Sequence, residues 1–145
     1  MEQPFIIEKT YHAPVSRIWK AISDNADMQQ WYFNLPGFKA EPGYKFEFTG
    51  GPEEGRQYLH LCEVKEVIPG RKLSYSWRYE GYTGESLVTF ELFEEGENTR
   101  LKLTHSGLES FPSAENPDLA KENFIEGWTY ITGTALKEFL EKSAA

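Results

Sequence analysis

Four stretches of strict two-residue alternation constrain this 145-residue chain more than any other feature. In YKFEFT, Tyr44, Phe46 and Phe48 share one face, with Lys45, Glu47 and Thr49 on the other. KLSYSWRY sets Leu73, Tyr75, Trp77 and Tyr79 against Lys72, Ser74, Ser76 and Arg78, and SLVTFEL offers Ser86, Val88, Phe90 and Leu92 as an inner set. TRLKLTH sets Leu101, Leu103 and His105 against Arg100, Lys102 and Thr104. The segment 56–68, RQYLHLCEVKEVI, is strand-like but mixes its phases, which predicts a bulge and leaves its faces unassigned. The connections PGRK (69–72), EGYTGE (80–85) and EGEN (95–98) are short enough to join antiparallel neighbours. A meander with one wet face and one apolar, aromatic face follows. Residues 4–11 read as a further strand. NLPGFKAEPG (34–43), with two Pro-Gly pairs, reads as a loop with room for a short edge strand.

Helical spacing occupies the remainder. VSRIWKAI (15–22) places Val15, Ile18, Trp19 and Ile22 one turn apart, and Asp24 or Asn25 can cap a second short helix ending near Trp31. The last element runs from near Asp118 to about Lys142. At 100° per residue Phe124, Trp128, Ile131, Thr132, Ala135, Leu136 and Phe139 share one arc, with Ile125 at its edge and Glu126, Lys137 and Glu141 opposite. Such a helix, about 37 Å long at 1.5 Å per residue, can cross the whole inner face of the sheet, which defines an α+β architecture in a single domain spanning 1–145. Its middle, IEGWTYITG, is a poor helix sequence. Gly127 and Gly133 each cost about 1 kcal/mol against Ala, and Ile and Thr lower the propensity further. A tertiary cause is expected: stiff β-branched walls around a cavity, with Gly127 allowing a close approach at the flank.

The formal charge of −8 argues against a nucleic-acid backbone or an anionic membrane as partner. The start, MEQPFIIEK, is acidic and lacks the apolar run of a secretory signal, and no apolar stretch approaches membrane-spanning length. A cytoplasmic protein without membrane insertion is expected. The single Cys62 allows no internal disulfide and reads as a small buried hydrophobe. His12, His60 and His105 have no metal-ligand spacing, and neither a metal nor a cofactor is expected. His105 and Ser106 are adjacent, which is no nucleophile–base geometry, and no nucleophile elbow is present. Glu63 with Glu66, and Glu91 with Glu94, imitate paired acids but fall mostly at wet-face positions. GPEEG (51–55) suits a hairpin tip or lid, and Gly50–Gly51 opens no helix, so no phosphate loop forms.

What remains is an aromatic constellation: Trp31, Tyr75, Trp77, Phe90 and Trp128. A solid aromatic core and a lined cavity both accommodate it. Buried Trp and Tyr need partners for their polar atoms, which a wet or ligand-filled cavity supplies more readily than a dry core. In that reading Thr132, Tyr75 and His105 are the polar groups of a mostly apolar pocket. The candidate ligand-binding set is therefore Trp31, Tyr75, Trp77, Phe90, His105, Trp128 and Thr132, with no catalytic residue assigned.

Five stretches carry a resemblance: YHAPVSRIWKAISD (11–24), WYF (31–33), EVKEVIPGRKLSYSW (63–77), VTFELFEEGENTRLKLTHSGL (88–108) and EGWTYITGTALKEFLE (126–141). In this order they resemble the START-like, or SRPBCC, helix-grip superfamily that includes the birch-pollen-allergen fold. Within it, the chain looks most like the activator of heat-shock protein 90 ATPase homologue family. The resemblance implies a seven-stranded antiparallel sheet wrapped around a long C-terminal helix, with two short helices between strands one and two. It also implies that THSG is a recurring turn before the last helix, where a structural hydrogen bond at His105 competes with a polar handle at a cavity mouth. The expected function is binding of a small hydrophobic or aromatic molecule. A chaperone-associated interaction protein is the alternative, and a cyclase- or hydratase-like enzyme ranks third.

Overall fold

Six strands build one antiparallel sheet: β1 (Phe5–Tyr11), β2 (Lys45–Gly50), β3 (Tyr58–Ile68), β4 (Lys72–Tyr79), β5 (Ser86–Glu95) and β6 (Asn98–Ser106), in the order β1-β6-β5-β4-β3-β2. The structure is a computed structural model that describes residues 4–32, 38–50, 57–112, 116 and 119–143. Strands β2 to β6 are the expected meander, and β1 returns to pair with β6 from Phe5↔His105 to Tyr11↔Thr99. The expectation of seven strands is corrected to six among the described residues. Of the Pro-Gly segment, 38–43 forms no strand: Pro42 has no N–H for a ladder, and Gly43 turns the chain at φ +89°. Residues 34–37 and the GPEEG stretch lie outside the described residues.

Two helices, α1 (Val15–Ser23) and α2 (Asn25–Trp31), fill the connection between β1 and β2. Asp24 is the cap of the second: its Oδ2 accepts the Asp27 N–H at 3.1 Å, and Arg17 reaches Asp27 at 2.8 Å to tie the pair together. On β3 the register slips between Val64↔Tyr75 and Glu66↔Ser74. That bulge is the source of the mixed phases. Before it Tyr58, His60, Cys62 and Val64 face inward, and beyond it Val67 packs on the core. Ser74, Ser76 and Thr89 are buried although they alternate away from the aromatic face. Ser76 Oγ accepts the Glu63 N–H at 3.1 Å beside the bulge.

The C-terminal helix starts at Lys121 and runs as α3 (Lys121–Tyr130), a π-helical turn (Ile131–Ala135) and α4 (Leu136–Ser143). Its buried residues are Phe124, Trp128, Thr132, Leu136 and Leu140, a period of four. In an unbroken α-helix each step of four drifts by about 40°, about 160° from Phe124 to Leu140, which turns the last residue away from the sheet. A π turn fits one more residue into a turn and removes about 100° of that drift. The stripe therefore stays on one side, and Leu140 joins a core that the uniform 100° arc leaves it out of. Poor α-helix formers at ITGTA are suited to the wider turn. The turn is anchored at two points: Tyr11 donates its hydroxyl to the Thr132 carbonyl at 2.7 Å, and Thr132 Oγ1 donates to the Trp128 carbonyl at 2.8 Å. The expectation for Gly127 fails. A Cβ there would meet nothing within 4 Å, and nothing in the structure explains that glycine.

Removing the Tyr11 hydroxyl isolates this anchor. Tyr11→Phe leaves a buried carbonyl one partner short and is expected to cost about 1 kcal/mol in urea unfolding. An unchanged midpoint and slope would show that the π turn holds without the first strand.

Candidate functional site

Strand β4 points Tyr75, Trp77 and Tyr79 inward at two-residue intervals, and α3 lowers Trp128 onto them. The Trp128 ring lies 5.8 Å from Trp77, 6.0 Å from Phe90, 6.0 Å from His105 and 6.1 Å from Tyr32. Tyr75 packs edge-on to Phe46 at 5.2 Å and tilts toward Phe90 at 6.1 Å. Trp31, at the end of α2, stacks on Tyr32 at 5.1 Å and reaches the others through that ring. Six of the seven candidates thus form one aromatic layer between sheet and helix. Thr132 lies a turn along, its hydroxyl directed back at its own helix.

The polar atoms of this layer pair with one another or with nearby backbone carbonyls. Trp31 Nε1 donates to the Ala21 carbonyl at 2.9 Å, the Tyr32 and Tyr75 hydroxyls meet at 2.7 Å, and Trp77 Nε1 donates to the Tyr79 hydroxyl at 2.9 Å. His105 sits in a chain whose directions are fixed by chemistry. Indole N–H can only donate, so Trp128 Nε1 donates to His105 Nδ1 at 2.9 Å, and the proton of the neutral ring is on Nε2. Nε2 then donates to Ser86 Oγ at 2.7 Å, and Ser86 donates to the Trp77 carbonyl at 3.0 Å. His105 is fully buried, and desolvation pulls its pKa down to about 3. Held this way, neither ring nitrogen is available to a substrate. Gly107 completes the THSG turn at φ +83°, where a Cβ would come within 2.9 Å of the Glu85 carbonyl.

Three residues outside the candidate set belong to the same layer. His60 stacks on Phe48 at 4.3 Å and meets Trp77 and Tyr79 edge-on at 5.0 and 4.7 Å. Its Nδ1–H donates to the Tyr58 carbonyl at 3.0 Å, and burial lowers its pKa to about 4. The mixed phase of 56–68 concealed it. Tyr79 is in the inner set of its strand, and Tyr32 follows Trp31, but neither carries a sequence signal of its own. Burial pushes the phenols of Tyr32, Tyr75 and Tyr79 and the Cys62 thiol up, so all four stay protonated. Among the described residues no group of three or more His, Cys, Asp and Glu could hold a metal ion. The layer offers neutral donors, acceptors and ring faces, which is chemistry for holding a molecule. A separate groove of about 330 Å³ lies over β2–β4, lined by side chains that include Lys45, Glu47, Leu61, Glu63 and Arg78, and contains none of the candidates.

A six-stranded antiparallel sheet gripping a long C-terminal helix, with two short helices after the first strand, is the helix-grip fold. The profile of Activator of Hsp90 ATPase homolog 1-like protein matches residues 12–141, and the chain belongs to that family. No curated protein sequence matches significantly. Among solved structures, protein CV1439 from Chromobacterium violaceum superposes with a TM-score of 0.79 at 19% identity, covering 97% of this chain and 99% of that one. Protein MLL2253 from Mesorhizobium loti gives 0.76 at 23% identity, with 97% and 98% covered. CalU16 from Micromonospora echinospora is 31% identical over 70% of this chain and 57% of its own, with a TM-score of 0.60. Among the described residues no helix is long and apolar enough to cross a membrane.

The two buried histidines make stability depend on pH in a defined direction. Their folded pKa values, about 3 and about 4, lie below the ordinary 6.5, so below pH 6.5 the unfolded chain binds protons that the folded chain refuses. Stability from these groups is complete above pH 6.5 and falls as pH drops toward 4, by up to about 1.4 kcal/mol per pH unit for each histidine. Urea titrations from pH 7.5 to 4.5 read this slope, and His60→Phe is expected to flatten it by one proton. A slope equal in both proteins would show that His60 titrates normally.

Proposed function

We propose that this protein is a cytoplasmic binding module for a small apolar or aromatic molecule held between the sheet and the C-terminal helix. One observation carries the reading: aromatic rings from the sheet and from α2 converge on Trp128 of the C-terminal helix, with Trp77 and Phe90 from the sheet and Tyr32 stacked on it from the end of α2. A solid core is served as well by Leu and Val, which β5 and β6 contribute at Val88, Leu101 and Leu103. The concentration of Trp, Tyr and His, each with a polar atom directed within the layer, matches the composition of ligand pockets, which are mainly apolar with a few placed polar groups. Trp31, Tyr75, Trp77, Phe90, His105, Trp128 and Thr132 are the proposed contact set. The small molecule is the partner; the family's description names an activator of a chaperone ATPase, and the same protein added to such an ATPase assay separates that role from this one.

Titration with a panel of two-ring aromatic hydrocarbons, phenols and ketones tests the reading. A ligand entering beside Trp77 and Trp128 should quench or blue-shift tryptophan emission saturably. At a hundredfold excess over Kd it should add about 2.7 kcal/mol of stability, a melting shift of about 5–10 °C. A panel that moves neither emission nor melting temperature overturns the proposal.

A further inference from the structure

Protons and lone pairs in the aromatic layer do not balance. The acceptors are taken: His105 Nδ1 by Trp128, Ser86 Oγ by His105, the Thr132 carbonyl by Tyr11 and the Trp128 carbonyl by Thr132. The donors are not all placed. Trp77 Nε1 has no lone pair, so in its 2.9 Å contact the Tyr79 oxygen accepts, and Tyr79's own proton meets no acceptor among the described residues. The contact between Tyr32 and Tyr75 uses one of their two protons, and where Tyr32 is the donor the proton of Tyr75 is left in the same condition. Tyr75 and Tyr79 are 1% and 5% exposed, so bulk water does not reach these hydroxyls freely. The Tyr79 hydroxyl is within electrostatic range of Tyr32 and of Cys62, and Cys62 also influences Tyr75, so the hydroxyls serve one region of the interior.

An unmet buried donor favours whatever brings an acceptor to it. The charge of that acceptor is also constrained. Among the described residues the buried polar ones are His60, Ser74, Ser76, Ser86, Thr89, Thr99, His105 and Thr132, with no Lys or Arg among them, and both histidines are neutral. A carboxylate would enter this layer without a buried countercharge, since the Arg78 guanidinium that acts on Cys62 is exposed to water, whereas a neutral carbonyl carries lone pairs at little desolvation cost. We infer that the ligand is a neutral aromatic carbonyl compound whose oxygen accepts the Tyr79 hydroxyl proton, with Tyr75 as the second donor. This rests on the binding-module reading and narrows it to a ligand chemistry.

Two probes of one shape decide it: 2-acetylnaphthalene and 2-isopropenylnaphthalene, planar molecules that differ in C=O against C=CH2. Binding is read by tryptophan quenching, and the ketone labelled with carbon-13 at the carbonyl is read by its infrared stretch when bound. The ketone should bind about tenfold more tightly than the alkene, the ratio one net hydrogen bond supplies, and its stretch should fall below the value in hexane. In Tyr79→Phe the ratio should approach one and the stretch should return toward that value. A merely structural role for Tyr79 would weaken both probes alike and leave the stretch unmoved. Equal affinities with a hexane-like stretch overturn the inference while the binding module stands. If neither probe binds and the wider panel is silent, the binding module fails and this inference with it. The wild-type ratio and stretch decide the matter even if the variant does not fold.

Discussion

Everything in this molecule is arranged around a hydrogen-bonded chain that crosses it from helix to sheet: Trp128 to His105, His105 to Ser86, Ser86 to the backbone of Trp77. Its members come from α3, β6, β5 and β4, so one continuous set of dipoles fixes the helix against three adjacent strands. Each atom in it is buried, where a satisfied polar contact gains strength and a broken one leaves an expensive orphan. The chain also fixes orientation. With the indole N–H committed to His105, the Trp128 ring is held stacked on Tyr32, edge-to-face with Phe90 and tilted against Trp77. A leucine at 128 could fill volume but could not be aimed.

Much of this was legible before any coordinates, because strand faces follow from a period of two. Leu73, Tyr75, Trp77 and Tyr79, the set ending at His105, and the inner set from Ser86 to Leu92 are all buried as the alternation requires. So were the capped second helix and the existence of a bulge in β3. The errors have physical causes. Leu140 was missed because a uniform 100° per residue was applied to a helix that contains a π turn. The wet-face serines were buried because alternation assigns a direction and says nothing about how deeply a short side chain sits. His60 was lost where the bulge scrambles the phase. The partners of the aromatic polar atoms join residues as far apart as His105 and Trp128 or Tyr32 and Tyr75, and nothing local in a sequence encodes such pairs.

The layer combines two properties that usually compete. Large rings supply area and edge-to-face contacts, such as Phe46 on Tyr75 and Phe90 on Trp128. Yet nearly every ring with a heteroatom meets a partner, and among the described residues no buried side-chain nitrogen or oxygen is left without a hydrogen bond. A wall of that kind is rigid and polar at chosen points, which favours recognition over lubrication. By contrast the outer face relies on exposed ion pairs, such as Arg100 with Glu8 and Glu95, that contribute little to stability in water.

The closure of β1 on β6, together with the Tyr11 anchor on the π turn 121 residues away, sets the order in which the molecule can be assembled. On the ribosome, β2 to β5 emerge with their aromatic face complete before the C-terminal helix that covers most of it. The first strand has no neighbour until β6 has been made, and Trp128 follows later still. Closing such distant segments carries a large entropic toll before any contact rewards it. The nascent sheet therefore spends its synthesis time as an exposed sticky surface, a state in which holding chaperones are most needed.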